Sequence, residues 1–264
     1  MSTTNKLSNS FSNIWTIARR DFRSYFTTPI AYIILALFLA IMGYMFFNML
    51  AYFNEQAMNY QTYNMGKAMS ISEGVIRPLY GNMNVILLFF TPAITMRLFA
   101  EERKNQTLQL LMTSPVSLAE IVVGKFLSSA LFLLVMISAT LIYPAVLMIY
   151  GNPDVGTMVA SVLGTYLLTC CLLTTGVLFS AMTENQIVAV FLTICVNFLL
   201  WIISWSAYSA GPFWSDVLMQ VSLINHFMNF SQGMINTTDV IYYLSFIFFG
   251  LFLTHRVLDS YRWR

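Results

Sequence analysis

Of the 13 Lys and Arg residues in this 264-residue chain, none lies between Lys125 and Arg256. Eleven of them instead flank three stretches: Lys6, Arg19, Arg20 and Arg23; then Arg97, Arg103, Lys104 and Lys125; then Arg256, Arg262 and Arg264. An uncharged apolar run of about 20 residues can cross the hydrocarbon core of a bilayer, and the basic residues at its ends then choose a side. The pattern predicts an all-α, polytopic membrane protein.

Composition agrees. At 58% hydrophobic and 9% charged residues, too little polar surface remains to coat a soluble globule, so lipid must solvate most of the outside. The net charge of +2 gives no nucleic-acid footprint, since the basic residues sit at membrane borders. Cys170, Cys171 and Cys195 all fall inside apolar runs, with neither disulfide nor metal-ligand spacing, and read as small packing residues.

Charge-free windows predict six transmembrane helices at 29–50, 79–96, 127–150, 157–182, 187–208 and 240–254. Thr91-Pro92 marks a kink in the second. Gly151-Asn152-Pro153-Asp154 is a tight turn between the third and fourth. The sixth is short and borrows length by snorkelling of Arg256. Segment 217–238 also lacks charge, but its Gln220, Asn225, His226, Asn229, Gln232 and Asn236 are costly against lipid. A seventh span would also strand the C-terminal arginines outside. Six spans put eleven basic residues on one side, with only Lys67 and Arg77 opposite, which places both termini in the cytoplasm.

Residues 11–28 precede the first span as an amphipathic helix. Phe11, Trp15, Phe22 and Phe26 fall on its apolar stripe, with Arg19, Arg20 and Arg23 beside and opposite it. Such a helix lies at the membrane surface, apolar face down. The cytoplasmic connection 97–125 carries a charged patch, Glu101-Glu102-Arg103-Lys104, then an apolar turn with Leu108, Leu111 and Met112, and stops at Thr113-Ser114-Pro115. Ser117 and Glu120 form a capping box that opens the next helix. A short apolar helix bracketed by charge is either a docking knob for a soluble partner or a hairpin packed under its own bundle.

Segment 209–239 reads as two short pieces, because Gly233 interrupts a continuous helix. By their residues alone they form a surface amphipathic segment with a wetted face. Asn197 is a lone polar residue in the fifth span: interhelical glue, or as the weaker alternative a substrate contact. Enzymatic chemistry has almost no candidates. His226 and His255 lie on opposite sides, and no H-E-x-x-H, G-x-S-x-G or G-x-x-x-x-G-K-[ST] motif occurs. The spans hold almost no ionisable group, which counts against an ion-coupled secondary transporter.

Three stretches carry a family resemblance. They are Ser24-Tyr25-Phe26-Thr27-Thr28-Pro29 after the basic helix, the run from Glu101 through Ser117 to Gly124-Lys125-Phe126, and the C-terminal stretch from Asn225 to Gly233, Asp239 to Leu244 and Arg262-Trp263. The chain resembles the ABC-type-2 membrane permease superfamily, the transmembrane subunits of ABC exporters, and looks most like its gliding-motility-associated branch. One position departs: where such permeases commonly carry Gly before the Thr of the cytoplasmic motif, this chain has Gln106, which leaves the turn geometry there open.

The resemblance implies a non-catalytic, dimerising permease of a bacterial inner membrane, paired with a second copy or a homologous permease. It implies a separate ATPase that binds ATP and Mg, no cofactor in this chain, and a coupling helix around Thr107, Leu108, Leu111 and Met112 flanked by Glu101, Glu102 and Arg103. For segment 209–239 it implies a re-entrant pair capping a pathway, with Asn225, His226, Asn229 and Gln232. In the gliding branch a membrane protein with a large external domain is a further expected partner. A force-transmitting anchor that moves an external partner without transporting a solute needs the same docking loop and bundle.

Overall fold

Six helical segments are long and apolar enough to cross a membrane: Pro29–Asn59, Ser72–Lys104, Leu118–Ile149, Val155–Met182, Gln186–Ser206 and Thr237–Ser260. The computed structural model describes residues 3–63, 70–106, 116–151, 153–207 and 211–261. Among these residues every regular element is a helix. They are α1 (Thr3–Thr27), α2 (Pro29–Tyr63), α3 (Arg77–Thr95, entered through a π-helical turn at Ser72–Ile76), α4 (Ala100–Lys104), α5 (Leu118–Ala139) and α6 (Ile142–Tyr150). Then follow α7 (Val155–Met182), α8 (Gln186–Ala207), α9 (Pro212–Val221), α10 (Leu223–Ser231) and α11 (Thr237–Ser260).

The fourth span, α7, is the hub. It packs against α3, α5, α8, α10 and α11. Small residues let neighbours approach closely, as helix association in lipid requires. A Cβ on Gly176 would stand 2.1 Å from Thr95 Oγ1, and one on Gly164 would stand 2.5 Å from Phe230 Cβ. Asp154 caps α7 by accepting from the amides of Gly156 and Thr157. The amide of Asp154 in turn donates to Ser72 Oγ, 2.9 Å away, which pins the N-terminal ends of α3 and α7 together.

The helices run past several bounds of the sequence reading, α2 reaching Tyr63 and α5 starting at Leu118. The sixth span is not short: α11 is 24 residues long and continues through Arg256 to Ser260, and at its start Asp239 is held in hydrogen bonds and does not end the helix. The third span breaks at Thr140, whose amide and hydroxyl both fold back onto the Ile137 carbonyl, so α5 and α6 are two helices. Pro92 lies inside α3.

The amphipathic α1 is fastened along α5. Glu120 joins Ser10 and Asn13, Lys125 reaches Asp21 at 3.4 Å, and Tyr25 Oη lies 3.0 Å from Ser129 Oγ. Both helices advance in the same sense, so α1 climbs beside the first turns of α5. At Gly124 a Cβ would lie 2.9 Å from Ile17, so the contact there needs the missing side chain.

Candidate functional site

The charged patch after the second span is built from the backbone outwards. Ser180 of α7 accepts from the amides of Phe99 and Ala100 at 3.1 and 3.2 Å and donates to Met96 O. This hydroxyl satisfies the start of α4, where a helix always leaves amides without intrahelical partners. With α4 so placed, Glu102 turns toward α5 and Arg103 toward the other side.

Lys125 is 4% exposed, yet it sits at the edge of an apolar helix. A lysine this deep must be paired. Its Nζ lies 2.7 Å from Glu102 Oε1 and 3.4 Å from Asp21 Oδ2, and 5.3 Å above the Phe99 ring. One ammonium thus joins α1, α4 and α5.

Arg103 makes the opposite connection. It donates to Glu184 Oε1 at 2.9 Å, Ala181 O at 3.1 Å and Tyr261 Oη at 2.9 Å. Its guanidinium also lies 4.1 Å over the Tyr261 ring. The planar fork of an arginine suits such a multiple role, where a lysine would not. The end of α11 and the turn between α7 and α8 are thereby fixed to α4. Glu101 is exposed.

Past α4 the chain turns through Asn105 and Gln106, whose amides bond back to Glu101 O and Arg103 O. Gln106 has φ +60°, in the left-handed region, and is the only non-glycine residue of positive φ among those described. The departure noted in the sequence therefore falls on a position that favours glycine. Thr107, Leu108, Leu111 and Met112 lie outside the described residues. The capping box is present, with Ser117 and Glu120 satisfying each other's amides. A polar cleft of about 380 Å³ lies beside the patch, lined by Asp21, Tyr25, Arg97, Glu101, Glu102 and Lys125.

On α1, Trp15, Arg19, Arg20 and Arg23 are exposed and Phe22 is half-buried, edge-on to Phe26. Arg20 pairs with Asp21 at 2.9 Å. Trp15, Arg19, Arg20 and Arg23 line a second, open cleft of about 510 Å³.

The junction of α9, α10 and α11 holds a separate cluster. The break between α9 and α10 falls at Ser222, which caps α10 by accepting from the Asn225 amide, and not at Gly233. Gly233, at φ +83°, lies in the turn that follows α10. His226 Nδ1 is 2.6 Å from Asp239 Oδ1, and its Nε2 is 3.0 Å from Gln220 O. A carbonyl only accepts, so Nε2 is the donor to Gln220 O.

Asn229 donates to the other oxygen of Asp239 at 2.9 Å, and Tyr242 stacks on the imidazole with centroids 4.0 Å apart. Asn225 donates to Met219 O, and Gln232 is exposed. The cluster therefore fastens α9 and α10 to α11. Asn197 is not part of it: fully buried on α8, it accepts from Thr175 and faces Leu172 O on α7.

Sequence reasoning missed Asp21, Lys125, Ser180, Glu184, Tyr261 and Asp239. Lys125 and Asp239 carried a signal, being charges within the first few turns of apolar helices that each needed a partner. The partner residues are distant in sequence, and no local pattern marks them. Among the described residues no group of three or more His, Cys, Asp or Glu could hold a metal.

Residues 15–251 match the family of ABC-2 family transporter proteins. The match spans most of the chain, so the chain belongs to that family and is a multi-pass ABC permease membrane subunit. No curated protein matches it.

Proposed function

We propose that this permease couples ATP hydrolysis by a separate ATPase subunit, which holds the ATP and Mg, to export or other work on the outer side. It sits in a bacterial inner membrane with both termini cytoplasmic, as a dimer with a second copy or a homologous permease. The segment carrying Thr107, Leu108, Leu111 and Met112 enters the ATPase. The gliding-motility-like branch, and with it a partner bearing a large external domain, belongs to the same reading.

One observation supports it above the rest. The residues before this segment are tied by Lys125 and Arg103 to α1, α5, the α7–α8 turn and the end of α11. A displacement applied there reaches four elements through charged contacts. The force-transmitting alternative uses the same network.

The test is a gentle affinity purification of the tagged chain from membranes with mass spectrometry of the retained proteins. The expected result is a protein with a Walker A loop, lost on Leu111→Asp, together with any external partner. A chain that is reproducibly alone would overturn the assignment.

A further inference from the structure

Most hydroxyls inside the spans are satisfied by their own helix. Thr95, Thr169, Thr174, Thr193 and Thr254 each donate to the carbonyl four residues back. Tyr80 Oη, both polar atoms of the Asn84 side chain, Ser161 Oγ and Thr165 Oγ1 do not: they are buried and have no hydrogen-bond partner within the protein. Tyr80 is 1% exposed and the other three are 0%.

These four residues occupy two adjoining levels, one helical turn apart. One tie joins Ser72 to Asp154, and others join Thr95 to Gly176 and Phe99 to Ser180. Across that packed pair of helices the offset is steady, so Tyr80 falls opposite Ser161 and Asn84 opposite Thr165. Each pair is four residues apart on its own helix, hence on one face. Tyr80 and Asn84 continue the row, through Thr91, to Thr95, which meets α7 directly.

Four groups of this kind on adjoining turns cannot be a dry apolar seam, because each buried polar group without a partner carries a desolvation cost. The four hold donors and acceptors in similar number and no formal charge. That balance suits a ligand that both gives and takes hydrogen bonds, and a carboxylate-free set does not favour a divalent cation. We propose that Tyr80, Asn84, Ser161 and Thr165 form an internal hydration site, holding ordered water between the second and fourth spans. The site lies on the same stretch of α7 where Gly164 receives Phe230 of α10. A water-filled contact can re-form its hydrogen bonds when two helices shift, which a fixed side-chain pair cannot.

Radiolytic hydroxyl labelling of the purified full chain, read by mass spectrometry, tests this without a variant, since bound water is the source of the radical. Tyr243 is the internal control: it is 0% exposed and its hydroxyl is satisfied by Leu223 O at 2.8 Å. Tyr80 is expected to be labelled several-fold faster than Tyr243; equal rates would overturn the proposal.

Isosteric variants supply an independent readout. If shared water satisfies the groups, Tyr80→Phe and Thr165→Val each lower the Tm by roughly 2–4 °C, and the double variant lowers it by less than their sum. If the groups are dry, each variant raises the Tm and the effects add, which also overturns the proposal.

Discussion

Replacing Lys125 with Met keeps the length of the side chain and removes its charge. The Nζ to Glu102 and Asp21 distances of 2.7 and 3.4 Å correspond to gross attractions of about 6 and about 5 kcal/mol at an effective dielectric near 20. Desolvation of a side chain only 5% exposed, with partners at 22% and 16%, takes back several kcal/mol per ion. What remains on losing the cation is Glu102 and Asp21 without their shared ammonium, although Asp21 keeps Arg20. A buried pair broken in this way costs about 3–5 kcal/mol. In a chain of this size that is a fall in Tm on the order of 10 °C.

Intrinsic fluorescence during heating of the detergent-purified protein measures it. Adding Glu102→Gln and Asp21→Asn to Lys125→Met removes the two negative charges that the ammonium had faced and is expected to recover part of the loss. A single variant within about 2 °C of the parent, or a triple variant no better than the single, would refute the reasoning.

Four further outcomes are expected. Gly164→Ala drives a methyl into Phe230 and lowers stability by about 1–3 kcal/mol, whereas Gly81→Ala, whose Cβ meets nothing within 4 Å, raises it by roughly 0.5–1 kcal/mol; parallel melting curves compare them. His226→Phe keeps a ring against Tyr242 but strands Asp239, at a cost of about 1–3 kcal/mol, and Asp239→Asn in the same chain returns part of it in the same assay. Gln106→Gly relieves the left-handed backbone and stabilises by roughly 0.5–1 kcal/mol after the entropy of the added glycine is counted. The Thr157 hydroxyl and the Gly156 and Thr157 amides hold the Asp154 carboxyl below the ordinary aspartate range. Its contribution is therefore complete above the unfolded-state value and is lost as pH falls through the folded one, so Asp154→Asn flattens the acid side of a Tm-against-pH curve.

The number of spans was legible because it rests on runs of uncharged residues, which one pass along the chain can count. The capping box was legible for a similar reason: Ser117 and Glu120 are local, and their mutual satisfaction depends only on spacing. The two-piece segment before α11 was anticipated, but the break was assigned to Gly233 and falls at Ser222. A serine that caps a helix is as strong a boundary as a glycine, and the run of polar residues concealed it. The links of Lys125 to Asp21 and of Arg103 to Tyr261 were not legible. They join residues 104 and 158 positions apart, and their geometry is set by how α1 and α11 lie against the hub.

The position of that hub in the chain has a consequence for synthesis. α3 is complete at Thr95, but α7, the helix its polar row needs, is complete only at Met182. The 87 residues between them take about 4–17 s to make at 5–20 residues per second. Through that interval Asn84, Thr91 and Thr95 are already in the membrane while Gly176 and Ser180 do not yet exist. The first three spans must be held without their central contact until the fourth arrives, so the bundle closes around a late helix and not outward from an early one.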